Sequence, residues 1–361
     1  MAANIRPSGV FDTNYAQDIS INRTLWDKFS SYALFGVLLI LPIFLPSDWT
    51  GFIARIAIFA IAVQGLNILM GYTGQISLGQ AAFMAVGAYS GAIFVRELGF
   101  SFWLALPSAA LFTGFIGLLF GLPSLRVKGF YLAMATLAAQ YIIIWTIENP
   151  LESLTRGVNP LPLERFPPQF FGTSLNRMGL YYVIIPMAVI LFLVARNLIR
   201  SRTGRAFISV RDNDLAAELL GINVFRYKLA AFFLCSMFAG IAGVLLAFYE
   251  RTLITSQYPL FISIELLAML VIGGAGYPLG PLFGAAFIFI VNQRIVPFIL
   301  PTISEFLQNT LTFVSPENIQ GALQPILFGL ILGAFLILEP RGLAYRWEIL
   351  KISWKIRPYS Y

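Results

Sequence analysis

The sequence predicts an all-α, polytopic membrane protein of about ten transmembrane helices, on three observations. Of its 361 residues 58% are hydrophobic and only 11% charged, whereas a soluble domain carries roughly a quarter charged residues. The apolar residues fall into runs close to the roughly 20 residues that span a bilayer. Lys and Arg gather in alternate connections between those runs, the pattern that orients membrane helices. The 33 Phe, 15 Tyr and 6 Trp fit the same class, because aromatic rings collect at bilayer interfaces and between packed helices.

Candidate spans cover 31–46, 51–70, 76–95, 102–122, 129–147, 179–195, 229–248, 261–276, 281–300 and 322–338. Counted from the N-terminus, one side holds Arg6, Arg23, Lys28, Arg126, Lys128 and seven basic residues between Arg196 and Lys228. Arg341, Arg346, Lys351, Lys355 and Arg357 join that side. The longest connection on the other side, 148–178, sets three arginines against Glu148, Glu152 and Glu164. Both termini are expected in the cytoplasm. The chain then divides into an N-terminal segment 1–30, a transmembrane domain 31–340 and a basic tail 341–361. Two flanking segments should lie on the membrane surface, one through Ile21, Leu25, Trp26 and Phe29, the other through Leu343, Trp347, Leu350 and Trp354. Residues 1–30 are too long and polar for a signal peptide.

Several classes drop out. Histidine is absent, which removes the commonest metal ligand and general base, so no metal site or catalytic residue is expected. The single cysteine, Cys235, forms no internal disulfide. A net charge of +7 could suggest nucleic acid, but runs this apolar do not belong to a soluble nucleic-acid binder, and inward-facing loops account for the excess. No G-x-x-x-x-G-K segment occurs, so any ATP is bound by another chain and no cofactor by this one. The Pro-rich connection 148–178 is too short for a solute-binding domain.

The connection 196–228 carries SRTGRAFISVRDNDLAAELLGINVFRYK, Ser201 to Lys228. Arg211 precedes Asp212, Asn213 and Asp214, which offer N-cap oxygens and negative charge for a helix start. Gly221 can end that helix in the left-handed conformation. Between them Leu215, Ala216, Ala217 and Glu218 leave about two turns, too few to stand alone, so the helix must pack on this protein or on a partner. A plain connecting loop is the alternative.

Within 71–80, Gly71, Gly74 and Gly79 alternate with Tyr72, Gln75, Ser77 and Gln80, and Gln64 and Asn67 lie just upstream. Glycines let helices approach or break, and a break at membrane depth is tolerated where protein or water covers it, often along a solute path. Helix packing with amides as interhelical glue is the alternative. A second cluster, Ser263, Glu265, Met269, Gly273, Gly274, Gly276, Gly280, Pro281 and Gly284, has the same character. Glu265 needs a partner or water unless it lies at the outer interface. Arg55 and Arg294 sit near span ends, where long side chains snorkel.

The Ser201–Lys228 segment resembles the cytoplasmic loop of ABC-importer permeases, whose coupling helix has the pattern E-A-A-x-x-x-G. Ala216, Ala217 and Gly221 match, and Leu215 replaces the Glu. Together with Gly71–Tyr89, Leu125–Ala138 and Ser263–Ala286, the chain resembles the branched-chain amino-acid ABC permease family, especially its LivM-like members, from about Ile53 to Leu343. The outer loop departs from the family's Thr-Gly-Gly-x-x-Gly-like stretch, reading Thr155-Arg156-Gly157-Val158-Asn159-Pro160. The resemblance implies an importer-type permease of the bacterial plasma membrane. It would work with a second homologous permease, two ATPase subunits and a solute-binding protein, and carry branched-chain or related amino acids. Relatives move urea, amides and other solutes. It also implies that 211–218 and 221 meet the ATPase and that the glycine clusters line the path. A secondary transporter would need more intramembrane carboxylates than Glu265, and a membrane enzyme a nucleophile and base that are missing.

Overall fold

A computed structural model describes residues 36, 40–42, 44–124, 129–170, 173–298, 300 and 316–356. The expected surface helix at 21–29, most of the span 31–46, and Arg126 and Lys128 lie outside them. The described chain is overwhelmingly helical. Seven helices are long and apolar enough to cross a membrane, or eight if Pro325–Leu338 and Leu343–Lys351, bent by 41°, form one span. The protein is a multi-pass, all-α membrane protein.

The helices are α1 (Ser47–Leu66), α2 (Gln80–Arg96), α3 (Phe102–Ser124), α4 (Phe130–Glu148) and α5 (Arg177–Arg200). Two short helices follow, α6 (Arg202–Asp212) and α7 (Asp214–Leu219). Then come α8 (Val224–Glu250), α9 (Leu260–Gly273), α10 (Gly280–Ile290), α11 (Pro316–Leu338) and α12 (Leu343–Ile356). Expected and observed spans agree within a few residues along most of the chain. The expected span 76–95 is the exception: residues 74–79 are not helical, and α2, at 17 residues from Gln80, is not among the seven helices long enough to cross.

Helix α8 runs through the centre, packed on α3, α2 and α1. Every residue of α2 from Gln80 to Ala92 is buried, as expected for a helix apolar on all sides. Small residues permit this. A Cβ added to Gly87 would collide with the Gly240 backbone of α8, so the two backbones touch where larger residues would hold them apart. Phe59 and Phe52 stack edge-on against Phe289 of α10, at 5.0 and 6.3 Å between ring centroids.

The connection 148–178 holds one helical turn at Glu152–Thr155 and a two-residue strand β1 (Leu161–Pro162). It also holds the pair β2 (Gln169–Phe170) and β3 (Thr173–Ser174). Strand β1 pairs antiparallel with β4 (Thr252–Leu253), Leu161 opposite Leu253. This clip joins connections far apart in sequence, and no local pattern announces it.

Candidate functional site: two ends of one bundle

At one end the two glycine clusters meet. Helix α1 continues through a π-helical turn, Asn67–Gly71, and the chain reverses at Gly74, where φ is 70°. Helix α9 stops because Gly274 and Gly276 take φ of 105° and 84°, conformations costly for a residue with a Cβ. Asn67 knits the two stretches together. Its Nδ2 donates to Tyr277 O at 3.0 Å, and its Oδ1 accepts from Gly276 N at 2.8 Å. A Cβ on Gly71 would run into Asn67 Oδ1 and the Gly276 backbone. We call this closed contact the hub.

The loop helices sit on the hub. Arg211, at the end of α6, donates from Nη1 to Gly71 O at 3.0 Å and pairs with Asp212 at 3.1 Å. Its Cγ lies 3.1 Å from where a Cβ on Gly74 would stand. Between α6, α7 and residues 73–75 lies a cleft of about 300 Å³ lined by Gly74, Gln75, Arg211, Asp212, Asn213 and Lys228, among others. Asn213 caps α7, accepting from Leu215 N and Ala216 N at 3.0 and 3.1 Å. Gly221 is left-handed at φ 82°. Lys228 reaches back to Asp214 at 2.6 Å. Leu215, Leu219 and Leu220 stand 70%, 88% and 78% exposed, and Ala216 and Glu218 are exposed with them. Ala217 corrects the expectation. It is 1% exposed, folded inward where α7 packs on α6 and α8, so it cannot be part of a surface offered to a partner. Helix α6 is a second departure. Its Arg202, Arg205 and Arg211 read as a topogenic charge cluster, yet Ala206, Phe207 and Val210 form a buried stripe at helical spacing behind Ser201, which caps Gly204 N.

Above the hub, the start of α2 is wrapped in side chains. Leu78 N donates to Thr136 Oγ1 (2.9 Å), Ala81 N to Ser263 Oγ (2.9 Å) and Ala82 N to Gln140 Oε1 (2.8 Å). Gln140 Nε2 continues to Tyr258 O at 2.9 Å. Gln80 donates to Ala62 O and accepts from Cys235 Sγ. Gly79 N lies near Ser77 Oγ, and Gln75 donates to Thr73. The break thus has its free N–H groups bonded by the protein itself. Ser77, Gly79 and Gln80 are buried, not presented to a solute in this conformation. Thr136 and Gln140 were missed in the sequence, although an amide in the apolar span 129–147 carries the same signal that singled out Gln64 and Asn67. Gln64 is fully buried, and neither amide atom has a hydrogen-bond partner among the described residues.

Glu265 belongs elsewhere. It precedes Gly273 by eight residues on α9, about 12 Å along the axis. It lines a cleft of about 360 Å³ with Arg55, Phe59, Leu246, Glu250, Gln257, Ile262, Phe289, Asn292 and Gln293. The residue is 8% exposed, and its Oε1 accepts from Asn292 Nδ2 at 2.7 Å. Arg55 does not simply snorkel: its Nε and Nη2 each lie 2.9 Å from Glu250 Oε1. Arg294 likewise stacks over the Trp49 ring at 4.2 Å. Asn292 and Gln293, amides in the apolar span 281–300, were the overlooked signal.

Sequence comparison places these features among known proteins. Residues 49–338 match the family described as branched-chain amino acid transport system / permease component. The chain is 31% identical over 264 residues to the high-affinity branched-chain amino acid transport system permease protein LivM of Escherichia coli K12. That match covers 66% of this chain and 61% of the relative, so it spans about three fifths of that protein's length. The autoinducer 2 import system permease protein LsrC of Enterobacter sp. 638 is 27% identical over 78% of this chain and 81% of its own. The guanosine ABC transporter permease protein NupQ of Bacillus subtilis is 22% identical over 63% and 76%. No solved structure matches the chain.

Proposed function

The chain belongs to the branched-chain amino acid permease family of ABC transporters, and from that footing we propose that it imports amino acids as the membrane subunit of an ATP-driven complex. Its spans number ten, both termini and the loop 196–228 face the cytoplasm, and the complex resides in the bacterial inner membrane. A homologous permease completes the path, a binding protein delivers solute outside, and two ATPase subunits close on ATP inside. This chain performs no chemistry itself.

The observation that carries the reading is the hydrogen bond from Arg211 to Gly71 O. It fastens a loop with uncovered leucines to the point where α1 and α9 are knotted. An ATPase seated on Leu215, Leu219 and Leu220 pulls on α6 and α7, and Arg211 carries the displacement into the hub and so into two spans. Alternating access needs such a connection, since ATP closure and solute movement occur on different chains.

Leu219→Glu tests the docking surface. The side chain is 88% exposed, so insertion and folding should be unchanged. Burying a leucine contributes about 1.5–3 kcal/mol, so ATPase retention in a pull-down should fall by about 10-fold to 100-fold. Full retention with unchanged transport would reduce α7 to a connector. Asn213→Cys should react only with membrane-permeant reagents in intact cells, and labelling by an impermeant reagent from outside would reverse the orientation.

A further inference from the structure

We propose that the cleft between α1, α8, α9 and α10 is a solute subsite that holds an α-amino acid as its zwitterion, the carboxylate against Arg55 and the ammonium against Glu265. This rests on the permease reading and goes beyond it by naming the residues that hold the solute.

Three features of the cleft converge. Its volume of about 360 Å³ lies at the small end of the range for small-molecule sites. Its ionic groups are of both signs and unevenly satisfied. Arg55 uses Nε and Nη2 on Glu250, and a guanidinium has five N–H donors, so part of the fork remains for a second carboxylate. The Arg55 side chain is 40% exposed. Glu265 is 8% exposed, and among the described residues its one hydrogen-bond partner is Asn292. One carboxylate oxygen is thus held in place while the other is left over. A buried carboxylate with most of its acceptor sites unused is costly unless a cation or water completes it. Phe59, Leu246, Ile262 and Phe289 make the apolar part of the wall, with the neutral amides of Gln257 and Gln293 beside it.

Cation, anion and apolar wall complement the three parts of an apolar α-amino acid. A neutral amide or a nucleoside satisfies neither charge. Sites built to pair a polar group reject analogues lacking it far more strongly than apolar pockets reject a missing methylene. The cleft lies at the opposite end of the bundle from Arg211 and the hub, so a solute held here is separated from the loop helices by the closed glycine contact.

The test is alkylation of Gln257→Cys in the full-length chain, assembled with its partner subunits in proteoliposomes. Cys235 is buried and stays silent to a polar reagent. Leucine should slow the reaction by about tenfold, as an occupied site does at ten times its Kd. N-acetylleucine, lacking the ammonium, and leucinamide, lacking the carboxylate, should leave it nearly unchanged. Glu265→Gln keeps shape and the Asn292 contact and should raise the leucine concentration needed by about tenfold or more. Equal protection by all three solutes, protection by none, or an unaltered leucine response in Glu265→Gln overturns the subsite. ATP-dependent leucine uptake in the same vesicles keeps the two readings apart. Uptake without protection removes only the subsite, and uptake that ignores ATP removes the permease reading.

Discussion

The hub and the cleft are both polar islands in an apolar bundle, yet they solve the burial problem in opposite ways. At the hub, the partners are backbone groups of the same chain: Asn67 serves Gly276 and Tyr277, and Arg211 serves Gly71. Little is left for a solute, and missing side chains let the backbones touch. At the cleft the partners are side chains, two acids, an arginine and an amide, and part of their bonding capacity is unused. Buried polarity bonded to backbone groups makes a rigid joint, even with Gln64 beside it unpaired among the described residues, whereas buried polarity left open toward a cleft makes a receptor.

The largest effect is expected at the hub. Gly71→Ala places a Cβ against Asn67 Oδ1 and the Gly276 backbone, and since backbone cannot step aside it should lose about 3 kcal/mol or more. Loss of folded protein in detergent-solubilised membranes would register it, and wild-type thermal stability would mean the two spans are not in contact. Asn67→Ala leaves Gly276 N–H and Tyr277 O unpaired. Both groups are only half-buried, so water can take over part of the lost bonding, and a melting shift worth about 1–2 kcal/mol should follow, smaller than that of Gly71→Ala.

Arg211→Ala separates function from stability. Its side chain is 40% exposed, so solvent screening should hold the stability change to about 1 kcal/mol. Transport should fall severalfold while ATP hydrolysis continues, read by measuring both rates in one proteoliposome preparation. The smallest effect is expected at Arg96, whose partner Glu97 is its sequence neighbour. As a surface pair it contributes about 0–1 kcal/mol, and Arg96→Ala should leave stability and uptake within error.

What was legible in the sequence was local. The helix break near Gly71, a cap among Asp212, Asn213 and Asp214, and the left-handed Gly221 follow from side-chain chemistry within a few residues of where it acts, whereas the span expected over 261–276 runs past the stop at Gly273. The hidden features join distant segments. Arg55 and Glu250 are 195 positions apart, and Asn67 and Gly276 are 209 apart. Composition could mark each as polar in an apolar run but could not say which would find the other. That is why one candidate path in the sequence became two regions in the structure. Ala217 shows the same limit on a short scale: its small size suited a partner's close approach or a neighbour's, and only packing against α6 and α8 decided it.

Arg211 joins the loop helices to the hub, and on the proposed mechanism they move as one body. An added Cβ at Gly74 would stand 3.8 Å from Arg211 Cβ, within the range a disulfide bridges. In the Gly74→Cys/Arg211→Cys double variant, oxidation would replace the lost hydrogen bond with a covalent one, at some strain for cysteine at a left-handed position. ATP-driven uptake should be low in Arg211→Cys alone, low in the reduced double variant and restored on oxidation. Uptake that runs in the reduced double variant and stops on oxidation would show that loop and hub must slide past each other, and that Arg211 does not couple them.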